Sequence, residues 1–247
     1  MIPTVPPPSD PSFDVEFFWD PICPFAWITS RWVHSVAVQR ELAVDWRFIS
    51  LRLINKHKDY ATEFPAGYEQ GHTAGLRMLR VAAAVREELG RSALGPVVTA
   101  YGHSYWDHPQ GTDVRGRLST RDHIVEVLAE VGLPERFADA ADEPAWDDLI
   151  DAEGELALSR TGRDVGTPII TFRRAGSDED LSFFGPVISR VPSPDEALEL
   201  WDAVTRLAAF PGFAEMKRSL RERPQLNILG GVSAAPVHED WRGGHRV

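Results

Sequence analysis

The chain has a single cysteine, Cys23, which lies between an apolar run and a segment with helical spacing. Residues 15–19 read Val-Glu-Phe-Phe-Trp, which predicts a buried strand, and the turn after them is Asp20-Pro21-Ile22-Cys23. Pro24 is a favoured first helical residue, since proline has no N–H to leave unpaired at a helix start. The pattern therefore predicts a strand-to-helix turn with Cys23 near the helix N-cap.

This position favours a reactive thiol. Free backbone N–H groups at a helix start stabilise a thiolate, so we expect the pKa of Cys23 to lie below its ordinary value, at about 4–7.5. Dithiol oxidoreductases carry a resolving cysteine three residues later, and that position is Ala26 here. Cys23 must then react without an internal partner. The alternative interpretation is a small buried hydrophobe with no reactivity.

The residues after this turn complete a βαβ unit. The segment from Pro24 to about Gln39 has helical spacing, and residues 44–51 alternate as a second strand. A right-handed crossover between parallel strands would place Cys23 at the carboxyl end of the first strand, where open α/β sheets bind ligands.

Helical spacing then dominates from about residue 62 to residue 162, which predicts an α-helical insertion. Residues 164–172 and 181–186 predict a β-hairpin. A last helix is predicted from Ser193 as N-cap, with Pro194 at its first position and Glu196 closing a capping box. The resulting order is βαβ, helices, ββα. Residues 1–12 are expected to form a flexible N-terminal arm, and the tail 224–247 to be loosely held or packed on a partner subunit.

Composition excludes several classes of function. The net charge of −11 would repel phosphate backbones, so nucleic acid is not expected as a partner. The chain has neither a leader pattern nor a run of about 18 apolar residues, and we expect a cytoplasmic protein without a membrane partner. His103, Asp107 and His108 lack the spacing of a known metal site, and no Gly-rich phosphate loop occurs. We therefore expect no metal and no permanently bound cofactor.

Separated motifs in a consistent order resemble the actinobacterial mycothiol-dependent nitroreductase family, within the DsbA-like superfamily. The first is residues 18–32, Phe-Trp-Asp-Pro-Ile-Cys-Pro-Phe-Ala-Trp-Ile-Thr-Ser-Arg-Trp. The others are Val-Gly-Thr-Pro at 165–168, Phe-Phe-Gly-Pro-Val at 183–187, Trp201-Asp202 and Met216-Lys217-Arg218. The resemblance covers about residues 13–220.

The resemblance implies an α/β protein with a thioredoxin fold (βαβ…ββα) and a large α-helical insertion. The thioredoxin-fold domain would comprise residues 13–61 and 163–223, with 62–162 as the inserted helical subdomain. It also implies a homodimeric reductase that uses mycothiol or a similar low-molecular-weight thiol as co-substrate and acts on disulfides or nitro-aromatic compounds.

Site residues follow from the same resemblance. Cys23 would be the attacking thiolate, within an active-site turn that continues through Pro24, Phe25, Ala26 and Trp27. Pro168 would be a cis-proline facing the thiol, with Thr167 as the backbone clamp for thiol ligands. Asn55 and Tyr68 would line the substrate pocket. Beside them, His72 is a candidate from its position to lean over Cys23 and favour the thiolate.

The turn departs from the family pattern in a way that leaves three functions open. The family has Cys-Pro-Trp-Cys where this chain has Cys23-Pro24-Phe25-Ala26. A monothiol oxidoreductase would replace the missing cysteine by an external thiol. The turn also resembles Ser-Pro-Tyr-Ser-Trp of kappa-class glutathione transferases and hydroxychromene-carboxylate isomerases, which would make the chain a thiol transferase or isomerase. The third possibility is a redox-inactive binding homologue.

Overall fold

The computed structural model describes the chain except residues 1, 11, 115, 174–179, 219, 232–237 and 241–247. Its main sheet has four strands in the order β2-β1-β3-β4: β1 (Val15–Trp19), β2 (Val44–Phe48), β3 (Ile169–Phe172) and β4 (Leu181–Phe184). Strands β1 and β2 are parallel, whereas β3 is antiparallel to both β1 and β4. This arrangement confirms the predicted α/β thioredoxin fold with its βαβ and ββα units.

Helix α1 (Pro24–Arg40) connects β1 to β2, and α8 (Pro194–Ala208) follows β4. Between β2 and β3 the chain is helical, with α2 (Leu51–Ile54), α3 (Tyr60–Glu63), α4 (Tyr68–Leu89), α5 (Leu94–Trp106), α6 (Arg121–Glu130) and α7 (Asp147–Thr161). Short 3₁₀ turns cover Arg91–Ala93, Glu135–Asp142, Pro144–Trp146 and Asn227–Leu229. Near the C-terminus, β5 (Leu220–Glu222) pairs antiparallel with β6 (His238–Asp240).

The element boundaries follow local capping. Helix α8 has the predicted capping box between Ser193 and Glu196. The second strand ends at Phe48, earlier than its alternating pattern predicts. The reason is Ser50, whose Oγ accepts a hydrogen bond from the Leu53 amide at 3.4 Å and starts α2. No helix among the described residues is long and apolar enough to cross a membrane.

One face of the sheet carries the main hydrophobic core. Phe17 lies in register with Trp46 of β2 and Ile170 of β3, and all three side chains are buried. Helices α1 and α8 pack together near this face, where the Trp32 indole donates to the Ala197 carbonyl at 2.9 Å and its ring lies tilted against that of Trp201, with the centroids 5.3 Å apart. The buried strand predicted at residues 15–19 is confirmed, since Phe17 and Trp19 are both buried.

The opposite face of the sheet buries charge as well as apolar surface. Glu16 of β1 pairs with Arg47 of β2 at 2.7 Å, and both side chains are fully buried. Arg47 also reaches Glu153 of α7 at 3.4 Å. Burial opposes ionisation of Glu16, but a hydrogen bond from Arg160 and the charge of Arg47 lower its pKa to about 2. The Glu16 carboxylate therefore remains charged at neutral pH.

The N-terminal segment covers this charged face. Arg47 donates to the Pro7 carbonyl at 2.8 Å and Arg91 to the Pro8 carbonyl at 2.5 Å. Ser9 donates to the Glu16 carboxylate at 2.8 Å. Residues 7–9 therefore supply hydrogen-bond partners to Arg47, Arg91 and Glu16, which would lack these partners if the segment did not cover the sheet.

Candidate active site

Cys23 is the N-cap of α1, as the sequence predicts. Its backbone is extended (φ −84°, ψ 116°), and its Sγ accepts from the Ala26 amide at 3.4 Å. The same sulfur lies 3.4 Å from the Thr167 carbonyl oxygen, to which the thiol donates. Thr167 and Cys23 are 144 positions apart in the sequence, yet the Thr167 carbonyl contacts the Cys23 sulfur.

The segment that faces the thiol is held firmly in place. The peptide bond between Thr167 and Pro168 is cis. Thr167 donates through Oγ1 to the Phe18 carbonyl at 3.1 Å, and the Gly185 amide donates to the Pro168 carbonyl at 2.9 Å. Because its side chain is engaged with β1, Thr167 presents its main-chain carbonyl to Cys23.

The pKa of the thiol is shifted opposite to the sequence prediction. Only 7% of Cys23 is exposed, and burial raises its pKa to about 12, with a further contribution from the nearby Asp20 charge. The Ala26 amide favours the thiolate, as expected for a helix start, but loss of solvation outweighs it. The predicted lowering of the pKa is therefore wrong, and the resting thiol is protonated at neutral pH.

The aromatic residue of the turn is enclosed. Trp27 lies between the Arg31 guanidinium, 4.3 Å from its ring centroid, and the His103 ring at 5.2 Å. Helix α5 approaches it through Gly102, where a Cβ would fall 1.9 Å from the Trp27 ring. Trp27 is therefore buried in the packing between α1 and α5.

Helix α4 brings the insertion against the other side of the turn. A Cβ on Gly71 would lie 3.5 Å from the Ile22 side chain, and one on Gly75 would lie 2.5 Å from Asp20 Oδ1. Only glycine permits this approach at residue 75. Tyr68 and His72 lie on the same helix, their rings 5.7 Å apart, so both are carried to the vicinity of the turn.

Asn55 is linked to the Cys23 turn by hydrogen bonds that run through the main chain of Leu51. Its side-chain amide donates to the Leu51 carbonyl at 2.8 Å, and the Leu51 amide donates to Asp20 at 2.7 Å. The three residues predicted to line a pocket thus lie on the two helices that contact the Cys23 turn, Asn55 at the end of α2 and Tyr68 and His72 on α4.

His72 differs from expectation in its charge. Burial, together with the Arg52 charge, lowers the pKa of His72 to about 4, so its imidazole is neutral at neutral pH. Its Nδ1 is hydrogen-bonded to the Tyr60 hydroxyl at 2.8 Å. A neutral ring supplies no positive charge to a thiolate, which corrects the role expected of His72.

Two aromatic residues of this region escaped the sequence analysis. Tyr60 and Phe64 stack with ring centroids 4.6 Å apart, and both lie edge-to-face with His72. The sequence signal that could have located them is Asp59, a favoured N-cap residue, which caps α3 by accepting from the Ala61 amide at 3.0 Å. A helix start at that point would have placed Tyr60 in the first turn.

His103 and Asp107 form a hydrogen-bonded pair on α5, beside Trp27. Within the described part of the chain, no group of three His, Cys, Asp or Glu side chains is arranged to hold a metal ion.

Comparison with known proteins identifies the family. Residues 22–218 match the model of the Rv2466c-like family, described as mycothiol-dependent nitroreductase Rv2466c. The chain belongs to this family. The match begins one residue before Cys23 and runs past the Thr167-Pro168 segment, so it includes both halves of the site.

Two further proteins are similar to this chain. Uncharacterized protein Rv2286c of Mycobacterium tuberculosis is 30% identical over 210 residues, which cover 83% of this chain and 81% of that protein. The cytosolic disulfide reductase DsbM from Pseudomonas aeruginosa has a similar structure, with a TM-score of 0.51 and 18% identity, covering 78% of this chain and 98% of DsbM. At that identity the second likeness supports the fold alone. The family itself indicates thiol oxidoreductase chemistry.

Proposed function

We propose that the protein is a monothiol oxidoreductase in which Cys23 and an external low-molecular-weight thiol, mycothiol or a similar one, replace the two-cysteine cycle. The observation that carries this proposal is the position of Cys23 Sγ at a helix start, opposite the Thr167 carbonyl, with Ala26 where a resolving cysteine would be. Its substrates are disulfides or nitro and other electrophilic small molecules. Asn55, Tyr68 and His72 are proposed to line their pocket.

The reaction with a disulfide has two exchange steps. The Cys23 thiolate attacks one sulfur of the substrate, so a Cys23–sulfur bond forms, the substrate S–S bond breaks, and one thiolate leaves. An external thiolate then attacks this mixed disulfide and releases Cys23. The net electrons come from the external thiol. For a nitro substrate, two thiols become a disulfide while the nitro group takes two electrons and two protons and loses water.

The backbone opposite Cys23 suits this role. With its side chain bonded to Phe18, the Thr167 main chain is available to align an extended thiol ligand beside the sulfur. A cytoplasmic location belongs to the proposal, since the cycle needs a compartment that keeps the external thiol reduced.

Incubation of the protein with an oxidised low-molecular-weight thiol tests the proposal. We expect a mass increase of one thiol unit on the peptide that contains Cys23, reversed by excess reduced thiol. Intact-protein and peptide mass spectrometry would measure it. Absence of the adduct under conditions in which the denatured protein forms one would contradict the monothiol cycle.

A transferase or isomerase is the second candidate, and the high pKa of the buried Cys23 thiol favours it. In that function Cys23 would bind and polarise an external thiol without forming a covalent bond. The same mass measurement separates the two, because only the oxidoreductase accumulates a mixed disulfide. A redox-inactive binding homologue would show neither the adduct nor thiol turnover.

Substitution of Ala26 by cysteine should create a dithiol site. Residues 23 and 26 lie one turn apart at a helix start, and the Ala26 amide is already 3.4 Å from Cys23 Sγ. We expect the Ala26→Cys protein to lose two free thiols on mild oxidation without forming a dimer, and to gain reduction of protein disulfides such as those of insulin. Thiol titration and non-reducing electrophoresis would measure the change. Two remaining free thiols would show that the turn lacks this geometry.

A homodimer is also proposed, on the family resemblance. Large apolar side chains on and beyond β4 remain exposed in the single chain, among them Phe184, Phe210 and Met216. Light scattering at micromolar concentration should give twice the 27.5 kDa mass of one chain. A mass near that of one chain would exclude the dimer at this concentration.

A further inference from the structure

His123 lies in the first turn of α6 and connects that helix to α5 and to the segment between them. Its Nδ1 accepts from the Ser119 amide at 3.2 Å, and its Nε2 lies 2.8 Å from the Ser104 hydroxyl on α5. Only 4% of His123 is exposed. Both ring nitrogens of a buried imidazole are therefore hydrogen-bonded to other parts of the chain.

These partners determine where the imidazole carries its proton. A backbone amide can only donate, so Nδ1 has no proton while it accepts from Ser119. The Ser104 hydroxyl donates its own proton to the Tyr101 carbonyl at 2.8 Å and accepts from His123. The ring proton therefore lies on Nε2. The arrangement requires a neutral imidazole, because a protonated Nδ1 cannot accept from the Ser119 amide.

Ser119 has a backbone conformation that depends on its neighbours. Its φ is 60°, in the left-handed region that residues with a Cβ seldom adopt. His123 accepts from its amide, and the Arg77 guanidinium of α4 donates to its carbonyl at 3.1 Å. A conformation of this kind persists only where the surrounding structure holds it. Loss of the His123 contact would release the amide side of residue 119.

The segment that ends at Ser119 begins beside the Cys23 turn. It covers residues 107–119, of which all but residue 115 are described. Trp106, the last residue of α5, donates to the Pro21 carbonyl of the turn at 3.1 Å. Val114 and Leu118 bury their side chains, whereas most of the other described residues of the segment are exposed. The segment thus has few buried anchors, and His123 holds its C-terminal end against α5 and α6.

Charged side chains on the elements around His123 occur mostly as ion pairs: Arg117 with Glu126, Arg77 with Asp142, Arg121 with Asp139, and His103 with Asp107. Burial, followed by the charge of Arg117, lowers the pKa of His123 from 6.5 to about 4. The Glu126 charge opposes this change, and His108 adds to it. The neutral ring that the hydrogen bonds require is therefore also the form that the surrounding charges and burial favour.

We propose that His123 is an acid-sensitive switch, in which protonation of Nδ1 breaks the hydrogen bond to Ser119 and lets the segment 107–119 open while the sheet stays folded. The proton comes from the solvent, and the Ser119 amide loses its acceptor. Because the pKa of His123 is lower in the folded chain, its stabilisation of the closed segment is fully present above about pH 6.5 and decreases as the pH falls towards 4. The switch does not depend on the proposed chemistry of Cys23.

Amide hydrogen exchange tests the switch. After correction for the chemical exchange rate, the protection of the Ser119 amide should fall about tenfold per pH unit between about pH 6.5 and 4, since opening takes up one proton. Amides of β1 and β3 should keep their protection over the same range. In the His123→Asn protein, the side-chain carbonyl takes the place of Nδ1 but is not protonated in this range. The protection of Ser119 should then not change with pH.

His57→Asn is the matched control, because it removes an exposed histidine after α2 and should leave the pH dependence of Ser119 as in the natural protein. Constant protection of Ser119 in the natural protein would overturn the proposal, as would a pH dependence that His123→Asn retains. Should His123→Asn not fold, ¹⁵N NMR of the histidine-labelled natural protein decides. A neutral ring with its proton on Nε2 at pH 7, titrating together with the Ser119 amide shift, supports the switch. A proton on Nδ1 at pH 7, or a Ser119 shift that does not follow the ring, refutes it.

Discussion

The Cys23→Ser protein is expected to lose thiol-dependent disulfide reduction by a factor on the order of 10³ or more, because the nucleophile that carries the covalent intermediate is removed. The fold should survive, since serine is close in size to cysteine and its hydroxyl keeps both partners of the sulfur, the Ala26 amide and the Thr167 carbonyl. The measurement is the rate of reduction of a small disulfide by an excess of low-molecular-weight thiol, together with mass spectrometry of the protein.

The outcome also separates the candidate functions. A transferase or isomerase site polarises an external thiol, and a serine hydroxyl at this helix start could still donate to it. Retention of more than about a tenth of the rate by Cys23→Ser would therefore contradict the monothiol cycle and favour the transferase. The Asp151→Asn substitution, which removes a largely exposed ion pair between α7 and Lys56, serves as the activity control.

The sequence predicts the fold well because the determining signals are local. The apolar run 15–19, Pro24 at a helix start and the Ser193 capping box each specify an element within a few residues. The order of these elements along the chain is compatible with few sheet topologies. The N-cap position of Cys23 follows from the same local rules and agrees with the structure.

The ionisation of the thiol was not predictable in this way. The rule that helix starts favour thiolates presupposes some contact with solvent. Here Thr167, far along the chain, lies against Cys23, and burial dominates the pKa of the thiol, with the Asp20 charge adding to the rise. The approach of α4 depends on Gly75, whose significance is invisible until its distance to Asp20 is known. Tertiary contacts of this kind leave no periodic pattern in the sequence.

The buried charges illustrate the same limit. Asp45 and Arg47 occupy alternating positions of β2, a pattern that equally suits a solvated sheet face, and Glu16 is the one polar residue of β1. Their burial results from α7, which contributes Glu153, and from residues 7–9, which close the face. The alternation in β2 alone predicts a polar face, whereas the fold makes this face a closed ion-pair network.

The Glu153→Ala protein is expected to be about 3–5 kcal/mol less stable than the natural protein, one of the largest losses available to a single substitution. The Glu153 carboxylate is fully buried; it contacts Arg47 at 3.4 Å and Arg86 at 2.9 Å, and accepts from the Phe48 amide at 2.8 Å. Its removal leaves two buried guanidinium groups with a lost counter-charge and a buried amide without its acceptor.

Asp151→Asn on the same helix is the matched control for this prediction. Its ion pair with Lys56 is largely exposed, the lysine side chain being 59% accessible, so its loss should cost at most about 1 kcal/mol. Urea unfolding followed by circular dichroism would compare both variants through their midpoints at equal slope. Similar small shifts for both would mean that the Glu153 site relaxes or admits water when it is emptied. A large shift for Glu153→Ala alone would show that the buried guanidinium groups of Arg47 and Arg86 need the Glu153 counter-charge.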